Sequence, residues 1–376
     1  MKYSSFNRDT TPTTNKFMFL DNNPNVARYD IQKFVTFEKI TEKQLSFFWS
    51  ENEIDVSRDR AEFANLPKHE QHIFLSNLKY QILLDSIEAR SVNIAFLPVV
   101  SLTEIESLIE VIASFEVIHS RAYSHLIRNV FVNPSEVFDE IMVNDAILER
   151  AESIGKYYDD LIEYNSYYNL FGYGTHLLNG KEIIIDEGEH IKKIILAIVT
   201  MYCLESVRFI VSFCCSFAFS ERKLMVGNGK LITLISRDEM LHVTFAQTII
   251  NNWVEFKDDP RFSRWWYELI PEIRNIFQKV AEQEFDWADY LFKDGSMLGL
   301  NDTILKNYVK YIVNLRMSAI GLEPIYDIQN NPIPWVNSYY NSSETQTAPQ
   351  EMEMTSYLVG AVDSSLAEDE FSDFEL

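Results

Sequence analysis

Glu116 and His119 stand three residues apart, and Glu239 and His242 repeat that spacing later in the chain. On a helix, residues three apart share a face, so each pair presents a carboxylate beside an imidazole. Each pair also follows a lone acid in an apolar stretch. Asp85 lies 31 residues before Glu116, and Glu205 lies 34 residues before Glu239. Two halves of the chain therefore carry the same plan, and together they supply four acids and two imidazoles. A single Glu-x-x-His is common on solvated helix faces; the duplicated arrangement is what singles out a metal.

Hard carboxylate oxygens suit iron and manganese and can bridge two ions, while two imidazoles leave positions open for oxygen. This is the donor set of a dinuclear centre held between four helices. The four carboxylates would balance two divalent charges. Without cations, four acids in one core would repel, and burial would force some to keep a proton. Zinc fits poorly, because it prefers four tight ligands rich in nitrogen and sulfur. Tyr123 sits four residues past His119, one turn further along the same face. His69, His72, His125, His176 and His190 show no partner pattern and are expected at the surface or in caps. Cys203, Cys214 and Cys215 share one apolar run, lack a Cys-x-x-Cys pair, and read as reduced, buried thiols.

Helices must position these groups. Gly and Pro are sparse, with 11 of each in 376 residues, and long stretches have helical period, which favours an all-α fold. Residues 1–35 show no period and are expected to wrap the surface. Thr41-Glu42-Lys43-Gln44 has the form of a capping box opening a short helix that Trp49 closes. Pro67 suits the start of a helix in which Asp85 falls on the apolar stripe. Ser101-Leu102-Thr103-Glu104 is a second box, opening the helix with Glu116, His119 and Tyr123. A shorter helix is expected over much of 135–170. Thr175 to Leu178, Asn179-Gly180 and Lys181 to Ile185 predict a small hairpin with a type I′ turn. A long helix over 187–222 contains Glu205; Gly227 and Gly229 mark a turn; the next helix, to about Trp253, carries Asp238, Glu239 and His242. Helices at 261–292 and 302–320 follow, with Asn301 as a cap and Gly321 as a stop.

The net charge of −23 argues against a nucleic-acid surface. It is uneven: after Arg316 there is no Lys or Arg, and residues 317–376 carry eleven acids, which leaves −12 for residues 1–316. The division expected is a helical body over 1–340 and a flexible acidic tail over 341–376. The run from Ile194 to Phe219 is apolar enough to suggest a membrane span. Glu205 and Arg208 interrupt it, and a buried core helix is the better reading. The N-terminus has no basic segment followed by an apolar one, so a cytoplasmic protein is expected.

At these residues the chain resembles the small (beta) subunit of class I ribonucleotide reductase, most closely the bacterial class Ia type. The likeness extends over Val26-Ala27-Arg28-Tyr29-Asp30, Lys43-Gln44-Leu45-Ser46-Phe47-Phe48-Trp49, Asp55-Val56-Ser57-Arg58-Asp59, Ser76-Asn77-Leu78-Lys79-Tyr80-Gln81, Asp289-Tyr290-Leu291-Phe292 and Asn331-Pro332-Ile333-Pro334-Trp335. The resemblance implies a ferritin-like helical bundle with additional helices. It implies a di-iron-oxo centre, with manganese as the other candidate, on Asp85, Glu116, His119, Glu205, Glu239 and His242. Tyr123 would bear a radical generated with O2, in a dry pocket lined by Phe209, Phe213 and Ile235. Asp238 and Trp49 would relay oxidising power from His119 toward the surface. Tyr357, with Glu351 assisting proton movement, would carry it between subunits. The last residues, about Phe371 to Leu376, would dock on the large (alpha) subunit, and the small subunit would be a homodimer. The activity implied is reduction of ribonucleoside diphosphates, with no nucleotide site on this chain, since it has no Gly-rich phosphate loop. The alternative is a stand-alone di-metal oxidase or oxygenase, which would have no use for Tyr357.

Overall fold

The computed structural model describes residues 3–340. Their helices run α1 Val35–Ser46, α2 Asp59–Asn65, α3 Lys68–Phe96, α4 Thr103–Val130, α5 Pro134–Asp139 and α6 Asp145–Phe171. The hairpin of β1 Gly174–Leu178 and β2 Lys181–Ile185 follows, then α7 Glu187–Cys203, α8 Phe209–Glu221, α9 Val226–Val254, α10 Pro260–Phe292 and α11 Asp302–Ala319. The all-α architecture with one small hairpin is as expected. Asn179 and Gly180 both have positive φ, 51° and 78°, as a type I′ turn requires.

Four long rods frame the interior: α3, α4, the α7–α8 run, and α9. Their shared core is apolar, with Ile109, Ile112, Ile198, Phe213, Ile235 and Ile249 fully buried. The other helices cover these rods; α6 lies on α3 and α7, and α10 lies on α7 and α11. Among the described residues, one helical run is long and apolar enough to cross a membrane, Glu187–Glu221, and its apolar window is wholly buried.

That run is not a uniform α-helix. Residues Leu204–Arg208 form a π-turn, which inserts one residue and re-aims the side chains on either side. Arg208, at its end, is pinned to the surrounding helices. It donates to Glu284 Oε1 at 3.0 Å, to the Tyr80 hydroxyl at 3.2 Å and to Ser153 Oγ at 3.1 Å. The apolar pattern gave no sign of this irregularity.

Several local expectations fail because the groups concerned are taken up by other contacts. Thr41 does not open a helix. It lies inside α1, where its hydroxyl donates to the Phe37 carbonyl. Ser101 and Glu104 do not form a capping box. Ser101 Oγ accepts from the Asp21 amide, and Glu104 Oε1 accepts from the Lys33 and Phe34 amides, which fastens the N-terminal segment to α4. Gly227 and Gly229 lie within the first turns of α9 rather than in a turn before it. A Cβ at Gly227 would meet the Asp55 carbonyl at 2.7 Å, and one at Gly229 would meet Ser220 Oγ at 1.9 Å. Close packing, not a reversal of the chain, requires glycine there. One helix does cover much of 135–170 as expected: α6, of 27 residues. Asn301 and Gly321 act as expected, the Asn301 side chain accepting from the Ile304 amide and Gly321 having φ 74°; Asp186 caps α7 by accepting from the Glu189 amide.

Candidate metal centre

Each of the four rods brings its acids and imidazoles inward at about mid-length. Asp85 comes from α3, Glu116 and His119 from α4, Glu205 from the π-turn, and Glu239 and His242 from α9. All six are fully buried. Two donor groups form. Asp85, Glu116, His119 and Glu239 make one, and Glu116, Glu205, Glu239 and His242 make the other; within each, the ligand atoms lie within 4.8 Å of one another. Glu116 and Glu239 belong to both. Each has two oxygens, so each can serve two cations at once.

The distances are close. His119 Nδ1 is 3.1 Å from Glu239 Oε1, 3.7 Å from Glu116 Oε2 and 4.0 Å from Asp85 Oδ2. His242 Nδ1 is 2.7 Å from Glu239 Oε2, 3.0 Å from Glu116 Oε1 and 3.7 Å from Glu205 Oε1. Both oxygens of Asp85, Glu116, Glu205 and Glu239, and both Nδ1 atoms, are buried without a hydrogen-bond partner. Lone pairs face lone pairs, an arrangement that needs a proton or a cation between them. Each buried unpartnered polar atom costs about 1–3 kcal/mol.

Protonation follows the same strain. Burial, then the Glu116 and Glu239 carboxylates, push Asp85 well above the usual carboxylate range. Burial and Glu239 do the same to Glu205. Glu239 moves the other way: burial opposes its charge, but the His119 and His242 imidazoles hold it far below the ordinary value. Burial likewise disfavours charged imidazoles, yet Glu239 and its neighbours raise both His119 and His242. The set is a core of excess negative charge and unshared lone pairs. It fits two hard divalent cations bridged by Glu116 and Glu239.

Tyr123 is buried beside this cluster, and its hydroxyl has no partner. Burial, then the charges of Asp85 and Glu239, push its phenol well above the ordinary value, so it keeps its proton. Phe209 and Phe213 stack at 5.6 Å, and Ile235 is fully buried on α9. His119 turns its outer nitrogen, Nε2, to Asp238 Oδ2 at 3.2 Å, and Trp49 Nε1 donates to that same oxygen at 2.8 Å. Trp49 stacks on His119 with ring centroids 6.3 Å apart. Asp238 Oδ1 takes the Arg237 guanidinium at 3.2 Å. Tyr357, Glu351 and the final residues lie outside the described residues.

The structure adds residues that spacing did not single out. Glu88 is fully buried three residues past Asp85, so the rule that flagged Glu116 and His119 also places it on Asp85's face. The Tyr158 hydroxyl reaches both its oxygens at 2.9 Å. Burial, then Glu116, raises its carboxyl to about 8. Gln44 Nε2 lies 2.8 Å from His242 Nε2, a contact across 198 positions that no local pattern reveals. His190, expected at the surface or in a cap, is fully buried, with Nε2 2.7 Å from Asn165 Oδ1 and the Tyr173 hydroxyl at Nδ1.

Comparison with known proteins bears on this arrangement. Residues 30–332 match the family model for ribonucleotide reductase, small chain. The chain is 51% identical to the ribonucleoside-diphosphate reductase 1 subunit beta of Escherichia coli O157:H7, over the full length of both. It is 38% identical to the subunit beta of Enterobacteria phage T4 over 372 residues, 96% of each chain. Among solved structures, the ribonucleotide reductase R2 subunit of Clostridium botulinum superposes with a TM-score of 0.77 at 24% identity, covering 90% of this chain and 98% of that one. The dimanganese(II)-NrdF of Streptococcus sanguinis gives 0.67 at 18% identity, covering 85% and 100%. These two show a shared helical fold.

Proposed function

Since the chain belongs to the ribonucleotide reductase small-chain family, we propose that it generates and stores a tyrosyl radical on Tyr123 for use by the large subunit. As a small chain of this reductase, it works with a large one. The observation that carries the proposal is the pair of donor groups sharing Glu116 and Glu239, with a buried, unpartnered phenol beside them.

Asp85, His119, Glu205 and His242 would hold one side each of two iron ions, or of manganese, and the two shared glutamates would bridge them. When bound, such a pair activates O2 and so supplies the one-electron oxidising power that a phenol needs. The chain's own contribution is positional. Tyr123 keeps its proton in a dry core until oxidation, and Phe209, Phe213 and Ile235 would exclude water and reductants from it. Asp238 holds the outer nitrogen of His119 and so orients the ring. Trp49, bonded to the same carboxylate, would extend a continuous path from His119 outward. Tyr357 and Glu351, in a tail spanning 341–376, would continue that path into the large subunit, with the end of the tail as the docking element. A homodimer in the cytoplasm, reducing ribonucleoside diphosphates through its partner, completes the proposal.

The test is direct. Metal-depleted protein is given Fe(II) and O2, then followed by EPR and optical absorption. A phenoxyl signal that disappears in Tyr123→Phe supports the proposal; an unchanged signal in that variant overturns it. With large subunit added, Tyr357→Phe should retain the signal and lose turnover.

A further inference from the structure

Arg316 is the last basic residue of the chain and lies in the last turn of α11, with only 2% of its surface exposed. Among the described residues it makes no ion pair, and its Nη2 is buried without a hydrogen-bond partner. A guanidinium keeps its charge inside a protein, so burying one without a carboxylate is costly, and packing alone would favour an apolar side chain there. Two bonds account for its place. Its Nε donates to the Ser206 carbonyl at 3.3 Å, and its own carbonyl accepts from the Tyr202 hydroxyl at 3.1 Å. Glu205 stands between Tyr202 and Ser206 in the chain. One residue of α11 therefore grips the helix of that ligand on either side of it.

The gripped segment is the irregular one. The Phe209 amide bonds to the Leu204 carbonyl, five residues back, where an α-helix would take Glu205. Relaxation to a plain α-helix would remove the extra residue and turn one side of the run against the other by about 100°. Glu205 and Phe209 could not then both keep the faces they now present. The Ser206 hydroxyl donates back to the Tyr202 carbonyl, a bond that competes with the helical ladder just before the turn. Arg208 fastens the far end of the turn to Tyr80, Ser153 and Glu284, on α3, α6 and α10. Arg316 fastens its middle from the other side, on α11.

We propose that Arg316 is a positioning residue for Glu205: its bond to the Ser206 carbonyl holds Leu204–Arg208 in the π-turn and so keeps the Glu205 carboxylate aimed into the centre. The aim of Glu205 matters because of the dinuclear reading above, and the proposal rests on it. Two variants separate the bond from the charge and the bulk. Arg316→Gln keeps a donor nitrogen as far from the backbone as Nε, without the charge. Arg316→Met has a similar length and no donor.

Hydrogen exchange of the full-length, metal-depleted protein, read by mass spectrometry, tests the brace without metal or turnover. In Arg316→Met, amides over 202–210 should exchange about 10–100-fold faster, the loosening that one lost bond from a charged donor allows. Arg316→Gln should stay within about 10-fold of the wild type. Unchanged exchange over 202–210 in Arg316→Met would overturn the proposal. So would a general acceleration through α10 and α11 in which Arg316→Gln fares no better, since that marks packing alone. Mn(II) titration, with free ion counted by EPR, then tests the link to Glu205. Arg316→Met should weaken Mn(II) binding about 10–100-fold in the native background. In a Glu205→Gln background the Mn(II) that still binds should do so equally well with or without Arg316→Met. Equal losses in both backgrounds would overturn the role assigned to Arg316. Uptake of fewer than two Mn(II) by the wild type would instead sink the dinuclear reading, while the exchange result still judges the brace. Circular dichroism identifies any variant that fails to fold; if Arg316→Met does, Arg316→Leu replaces it and is judged by the same outcomes.

Discussion

Asp238→Asn changes one atom and sets two ends of a side chain against each other. In the native site, Oδ2 faces donors from Trp49 Nε1 at 2.8 Å and His119 Nε2 at 3.2 Å, while Oδ1 faces the Arg237 guanidinium at 3.2 Å. An asparagine has one oxygen. Turned toward Trp49 and His119, it points its NH2 at Arg237, donor against donor; turned the other way, it meets two ring N–H groups. Arg237 has a side chain only 3% exposed, so the guanidinium cannot escape to water. Breaking a buried ion pair from one side costs about 3–5 kcal/mol. Arg237 keeps a bond to the Phe47 carbonyl at 2.9 Å and sits 3.9 Å over the Phe47 ring, so the lower end applies, about 3 kcal/mol. Chemical denaturation of the metal-depleted protein, followed by circular dichroism, measures that loss. Mn(II) titration should show a second effect, a 10–100-fold loss at the position built on His119 and none at the other. Arg237→Gln added to Asp238→Asn removes the stranded charge and should recover at least about 1 kcal/mol. A destabilisation under about 1 kcal/mol, the range of an exposed pair, together with unchanged Mn(II) affinity, would refute the account of Asp238 as the buried brace of His119.

Tyr123→Phe should leave Mn(II) stoichiometry and folding stability essentially as they are, because the hydroxyl it removes has no partner, while abolishing the phenoxyl EPR signal. His190 gives an acid-limb prediction. Burial holds its imidazole down at about 3 in the folded chain, against about 6.5 unfolded, so below pH 6.5 the unfolded state takes up a proton that the folded state refuses. Its contribution is whole above about pH 6.5 and is lost as pH falls toward 3, amounting to about 5 kcal/mol in all. Subtracting the pH–stability curve of His190→Gln from that of the wild type should reveal this slope, and a flat difference would show that His190 is not kept neutral. Gly227→Ala should cost about 1–3 kcal/mol in thermal or denaturant unfolding, since the added methyl meets backbone at Asp55 and Val56 rather than a side chain that can move.

What was legible in the sequence was what repeats within a helical turn. Glu116 with His119 and Glu239 with His242 could be paired because a three-residue spacing fixes a shared face before any tertiary contact forms. Asp85 and Glu205 were legible because an acid on an apolar stripe has no solvent to face. Glu88 obeyed the same spacing and was still overlooked, because its partner is a tyrosine, Tyr158, 70 positions away. The local signals that misled were caps and turns. Thr41, Ser101 and Gly227 have the right types for a helix start or a turn, but Thr41 bonds back within α1, Ser101 takes a distant amide and Gly227 is fixed by close packing. The residues that tune the centre are the least legible of all. Trp49 reaches Asp238 across 189 positions and Gln44 reaches His242 across 198. Nothing about a glutamine near the end of a short helix marks it as the outer partner of a buried imidazole. Ligands must cluster by type, because the cation demands oxygen and nitrogen donors wherever they sit. An outer partner need only offer one acceptor at one point, so many residue types from any part of the chain could fill that place. The donor set is therefore visible in one dimension, whereas the partners that hold it from outside become visible only when α1 is seen lying against α9.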